Sequence, residues 1–186
     1  YFALRSLLDE VVALMALVVE RKGLAFIDGM APDAPTALHG DRTRLQQILL
    51  NLVGNAVKFT ESGHVALETC ALVPHGVRFV VADTGPGLDA AQQARLFRRF
   101  EQADGARTAL RYGGSGLGLS ISQELAAAMG GRIGIESEPG MGTRFIVDLP
   151  LVHAEVTATA SPSDAPRINA AALCLLLVED DGIVAE

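Results

Sequence analysis

The sequence predicts an α/β fold in which a layer of helices lies on one face of a β-sheet. Two observations carry that expectation. Residues 4–22 and 41–60 each place apolar side chains at the three-four spacing of a helix. Residues 64–72, 77–82, 132–137 and 143–149 read as two pairs of strands joined by turns that contain Gly and Pro. Helices that bury one stripe and strands that bury one face satisfy each other when they stack in layers. With 186 residues, 49% of them hydrophobic, the chain can bury a full core in one domain with some length left over.

The first helix turns Leu4, Leu7, Leu8, Val11, Val12, Met15, Val18 and Val19 to its buried side, and Gly23 is a stop signal. Leu24 to Ile27 can form a short strand. The run from Met30 to Asp41, with Pro32 and Pro35, reads as a loop that ends on Asp41 as a helix cap. The next helix buries Leu45, Ile48, Leu49, Leu52, Val53, Ala56 and Val57. A hairpin follows, turning at Pro74 to Gly76. Residues 89–100 read as a short helix that ends in Phe97 and Phe100, and 101–112 as a polar surface segment. After GGSGLGLS, a helical pattern runs through Ile121, Leu125, Ala128 and Met129 to a stop at Gly130 and Gly131. The last strand pair turns at EPGMG. From His153 to about Ala171 the composition shifts to Ala, Thr, Ser, Pro and Asp, as in a linker. LCLLLVEDD then starts something new.

Composition removes several functions. A net charge of −7 argues against a general nucleic-acid or anionic-membrane surface. Lys22 and Lys58 are the chain's lysines, and neither stands in a Gly-rich Lys-Ser/Thr loop, which excludes the P-loop manner of holding a nucleotide. Cys70 and Cys174 lie far apart, without metal-ligand spacing, as expected in a reducing compartment. The apolar run from Val11 to Val19 is too short to span a bilayer and lacks the flanks of a signal peptide.

Three stretches carry polar groups that packing leaves unexplained. On the central helix, Gln47, Asn51 and Asn55 recur every fourth residue, with Lys58 a turn further on. Asn competes for nearby backbone groups inside a helix, so two stacked amides need a reason. They are either a solvated face, a buried amide pair, or ligands for an ion that prefers oxygen. A carboxamide oxygen is a hard neutral ligand that suits Mg²⁺ when phosphates supply the rest. By strand alternation, Asp83 shares a side with Val77, Phe79 and Val81, so its carboxylate falls at the end of an apolar face and needs a donor. An amino group on a flat heterocycle would serve, with Gly85 and Gly87 letting the backbone come close; a turn aspartate before Gly-Pro-Gly is the alternative. Glycines ahead of the helix at 118 can aim backbone N–H groups at an anion.

Taken in order, QxxxNxxxNAxKFT, DTGPGL, LFRRFEQ, GGSGLGLS and GMGTRF resemble the N, G1, F, G2 and final Gly-Thr motifs of the catalytic ATP-binding domain of sensor histidine kinases, over roughly residues 1–150. That resemblance implies the Bergerat fold, a two-layer sandwich of helices on one face of a mixed sheet, shared with gyrase, the Hsp90 chaperones and mismatch-repair ATPases. It implies Asn55 as the Mg²⁺ ligand, Asn51 as its support and Lys58 as a phosphate contact. Asp83 matches the acceptor of the adenine amino group, Gly85 and Gly87 shape the pocket, and Thr143 joins the adenine-side network. Gly114, Gly116 and Gly118 match the glycines under the phosphates, and Phe97 and Phe100 the motif that braces the lid. The cofactors it implies are ATP and Mg²⁺.

One position discriminates. ATPases of this superfamily carry Glu one turn before the metal-binding Asn, where it acts as general base toward water. Asn51 stands there instead. A carboxamide cannot take that proton, so the resemblance points to a kinase that holds ATP for a protein nucleophile, ahead of an ATPase or a regulatory module without transfer activity. Residues 172–186 are similar to the first strand of a response-regulator receiver domain, with Glu179 and Asp180 as its acidic pair. This implies a domain over 1–150, a linker over 151–171, and a hybrid kinase as the parent. His39, His64, His75 and His153 lack the surroundings of a phosphoacceptor, so the dimerisation domain that carries it is expected ahead of Tyr1. The expected parent is a homodimer whose catalytic part is cytoplasmic, with no nucleic-acid or membrane contact by this segment.

Overall fold

The apolar stripe of the central helix becomes the middle of the core. In the computed structural model, which describes residues 1–96 and 117–153, all inside one compact unit, helix α2 spans Arg42–Phe59. Asp41 caps it, its carboxylate accepting from the Arg44 N–H at 3.0 Å and satisfying one of the unpaired donors of the first turn. All the apolar residues expected on its inner face are buried, from Leu45 to Val57.

Helix α1, Leu4–Arg21, packs beside it and ends at Gly23, which sits at φ +64° in the left-handed region. The buried stripe of α1 is narrower than its spacing suggests. Leu4, Leu7, Leu8, Val11 and Val19 are buried, but Val18 stands 47% exposed, beside the exposed Leu14 and Leu17. The apolar pattern of the second half of α1 is wider than the surface that α2 and the sheet offer.

The sheet below has strands β2 (Ala25–Met30), β4 (His64–Ala71), β5 (Val77–Asp83), β7 (Gly142–Leu149) and β6 (Arg132–Glu138) side by side in that order. β2 pairs parallel with β4 and the other neighbours are antiparallel, so the sheet is mixed. β2 runs past Ile27 to Met30 because its parallel register with β4 continues to Met30 opposite Thr69. Val65, Leu67, Phe79, Val81, Phe145 and Val147 face the helices, alternating with outward residues such as Arg78 and Arg144. A second, small sheet escapes sequence reading. Phe2–Ala3 (β1) and Val152–His153 (β8) flank Ala37–His39 (β3), inside the stretch expected to be loop. Strands of two or three residues are too short to show a period.

Helix α3, Ala90–Arg95, begins with a capping box in which Asp89 and Gln92 bond each other's backbone N–H groups. Helix α4, Gly118–Ala128, packs on α2 and on β6. Its inward face corrects the expected pattern. Ser120, Ser122 and Ala126 are buried, whereas Ile121 is 40% exposed and Ala128 is exposed. The inner surface there is partly polar, and the reason lies on α2.

Candidate functional site

Asp83 ends β5 on the face that its alternation predicts, in line with buried Val77, Phe79 and Val81. Burial pushes its carboxyl above the ordinary aspartate range, against the opposing pull of the backbone N–H groups of Gly85 and Thr143. The Gly85 N–H donates to Oδ1 at 2.8 Å. Among the described residues no side-chain donor reaches this carboxylate. It is a half-buried acceptor whose partners are backbone groups, a costly arrangement unless an outside N–H completes it.

The loop after Asp83 is held from below by the β6–β7 hairpin. Ser137 Oγ accepts from the Leu88 N–H at 2.8 Å, donates to the Gly142 carbonyl at 2.8 Å and meets Thr143 Oγ1 at 3.0 Å. Gln93 Nε2 bridges the carbonyls of Leu88 and Ser137. Gly87, at φ +67°, passes so close to the Glu138 carbonyl that a Cβ would collide with it. Thr143 is buried directly opposite Asp83 in the β5–β7 register. The Asp83, Gly85, Gly87 and Thr143 expected at one pocket are therefore neighbours.

On α2, Asn51 and Asn55 play different parts. Asn51 Nδ2 donates to Ser122 Oγ on α4 at 2.9 Å, and Ser122 is 1% exposed. A Cβ on Gly118 would run into the Asn51 carboxamide, so glycine at the start of α4 is what lets the two helices approach here. This is why α4 turns Ser122 inward; Ser120, also buried, donates to the Leu117 carbonyl at 2.9 Å. Asn55, one turn on, is half-buried, and its carboxamide makes no hydrogen bond among the described residues. Lys58 follows, its ammonium 5.0 Å from the Phe59 ring centroid and its pKa lowered by burial. Two amides stacked on one helix thus separate into one that ties helices together and one whose carboxamide is uncommitted among the described residues.

Phe97, Phe100, Gly114, Gly116, Glu179 and Asp180 lie outside the described residues. Sequence reasoning missed Ser122, Ser137 and Gly142. Serines on a helix or strand carry no signal of their own, although Gly142 stands in the GMGTRF stretch; at φ +86° it abuts the Asp83 carbonyl, leaving no room for a side chain. Among the described residues no helix is long and apolar enough to cross a membrane.

Comparison with known proteins places this geometry in a family. Residues 40–153 match the family described as histidine kinase-, DNA gyrase B-, and HSP90-like ATPase. The chain is 47% identical over 148 residues to the signal transduction histidine-protein kinase BarA of Escherichia coli K12, covering 77% of this chain and 16% of that protein. It is 40% identical over 183 residues to the sensor histidine kinase AruS of Pseudomonas aeruginosa, covering 96% of this chain and 18% of that one. The chain thus spans less than a fifth of the length of these curated relatives. Among solved structures, full-length ShkA in complex with AMPPNP superposes with a TM-score of 0.74 at 42% identity, over 82% of this chain and 31% of that one. The catalytic domain of histidine kinase ThkA superposes at 0.68 and 27% identity, over 81% of this chain and 94% of that domain. With helices on one face of a mixed sheet and these matches to it, the chain belongs to the histidine kinase-, DNA gyrase B- and HSP90-like ATPase family as an ATP-binding domain of the histidine-kinase type.

Proposed function

We propose that this domain binds ATP with Mg²⁺ between α2, the 83–88 loop and the start of α4, and that its parent transfers the γ-phosphate to a histidine on an adjoining dimerisation domain. Asp83 carries the reading. A half-buried carboxylate whose partners among the described residues are backbone groups fits the amino group of an adenine ring, and Gly85, Gly87 and Thr143 wall that position. Asn55, with its carboxamide uncommitted among the described residues, is the group suited to hold Mg²⁺; Lys58 is the phosphate contact, and Gly118, at the start of α4, is placed to meet the phosphates, as the motif that also holds Gly114 and Gly116 implies. Bound Mg²⁺ supplies charge neutralisation on the phosphate oxygens.

In the transfer, the bond from the γ-phosphorus to the ADP oxygen breaks and a bond to an imidazole nitrogen forms. Catalysis of this kind is mostly positioning. Asn51 bears on the choice between transfer and hydrolysis. Its amide is spent on Ser122 and offers no base toward water, which supports the kinase over the ATPase reading. A regulatory module without transfer activity remains the second reading.

The proposed organisation is a catalytic domain over 1–150, a linker over 151–171 and the start of a receiver domain over 172–186, in a homodimeric hybrid kinase whose catalytic part is cytoplasmic. Incubating the parent protein with γ-labelled ATP tests the transfer. Base-stable, acid-labile label on the protein is expected. ATP bound without any label would favour the regulatory module.

A further inference from the structure

The carboxyl end of α2 carries Lys58, and the donors to the carbonyls of Ala56, Val57, Lys58 and Thr60 there are in place. Helix ends leave such carbonyls without intrahelical partners, and buried ones must be met by something. The Ala56 carbonyl accepts from both the N–H and the hydroxyl of Thr60, at 3.0 and 2.7 Å. The Phe59 carbonyl abuts Gly85, where an added Cβ would sit 3.3 Å away. The carbonyls of Val57, Lys58 and Thr60 all accept from a single group, the ammonium of Lys22, at 2.6, 2.9 and 2.8 Å.

An ammonium has three N–H donors and no acceptor, so this arrangement uses its whole capacity. It also sets a positive charge at the negative end of the helix. Lys22 reaches there from the C-cap of α1, just before Gly23 turns the chain into β2. It is one of the chain's lysines and its ammonium bonds the backbone of the other. Thr60 is fully buried, and Phe59 adjoins the glycine whose N–H holds Asp83. The cap thus sits where the phosphate side of the proposed site meets its adenine side.

We infer that Lys22 is a positioning residue of the nucleotide site: its ammonium caps α2 and fixes the backbone from which Lys58 projects toward the phosphates. The inference rests on the reading of Lys58 as a phosphate contact. Its specific consequence is that Lys22 matters to a nucleotide through its phosphates and little to the bare nucleoside. A residue that only stabilised the fold would affect both alike.

The test is a calorimetric titration of the full 186-residue chain and its Lys22→Met, Lys58→Met and doubly substituted forms with Mg·ATP and with adenosine. Lys22→Met is expected to weaken Mg·ATP about tenfold and to leave adenosine within about twofold. In the Lys58→Met background the same change is expected to add less than about twofold, since residues acting through one contact are not additive. Lys22→Arg, which keeps the charge and several donors, is expected to recover most of the loss. If Lys22→Met does not fold, Lys22→Gln carries the same comparisons. Unchanged Mg·ATP affinity in a folded variant, an equal loss for adenosine, or a full tenfold added on Lys58→Met would each overturn the inference. Should Lys58→Met alone leave Mg·ATP affinity intact, the Lys58 assignment falls and this inference falls with it; a silent Lys22 beside an effective Lys58 overturns the inference alone.

Discussion

Asp83 and Thr143 face each other across β5 and β7, and the backbone N–H of Thr143 helps to hold the Asp83 carboxylate against the upward pull of burial on its pKa. The strand pairing that builds the sheet therefore also aims the acceptor of the candidate adenine pocket. Gly142, beside Thr143, lets β7 come up against the Asp83 carbonyl without a side chain between.

Asp83→Asn should weaken ATP by about 10- to 100-fold, because an amide places a donor where the proposed ring amine needs an acceptor. The fold should not suffer. The folded state raises the pKa of Asp83, so its stabilising contribution is present below the ordinary aspartate value and lost as pH rises through the raised one. At neutral pH the substitution should thus leave the melting temperature unchanged or higher. Nucleotide titration beside a thermal melt separates the two effects, and unchanged affinity would refute the adenine assignment.

Asn55→Ala should remove the part of ATP affinity that depends on Mg²⁺. Its carboxamide bonds nothing among the described residues, so little stability should go with it. Titrations with Mg²⁺ and with a chelator measure the difference. A Mg²⁺ dependence that survives would place the metal elsewhere.

Asp148 contributes to the fold and not to the site. It is buried on the outer face of the sheet, where Arg78 holds it through bonds of 2.6 and 2.9 Å and Arg132 adds another at 3.0 Å. The Arg78 hydrogen bonds, foremost, depress its pKa. That stability is present above the ordinary aspartate value and is lost as pH falls through the depressed one. Asp148→Asn should cost about 1–2 kcal/mol at pH 7, less than a buried pair because the arginines are partly exposed. Urea denaturation at neutral and strongly acid pH should show the gap closing in acid.

Gly118→Ala should destabilise the domain by about 1–3 kcal/mol, as overpacking does, because the new methyl would press on the Asn51 carboxamide. Better helix propensity would offset about 1 kcal/mol of it. A neutral result in urea denaturation would mean that α4 can move away from α2 freely.

Much of this architecture is legible in the chain because its signals are local. The stripe from Leu45 to Val57, the Asp41 cap, the Gly23 stop and the alternation that aims Asp83 inward each follow from neighbouring residues, and the structure has them all. What sequence reading lacks depends on distant partners. The parallel pairing of β2 with β4 leaves no periodic trace, and β1, β3 and β8 are too short to leave one. Ile121 reads as a core residue by spacing, yet Ser122 takes the inward place because Asn51 waits there. Lys22 shows only as a charge at a helix end until the carbonyls of α2 are seen around it.

Calorimetric titration of the chain with ATP, with and without Mg²⁺, followed by a phosphate-release assay on the same sample, distinguishes ATP held for transfer from ATP hydrolysed. Mg²⁺-assisted binding with negligible release is expected, because Asn51 offers water no base. Rapid release of phosphate on binding would contradict it and assign the domain to hydrolysis.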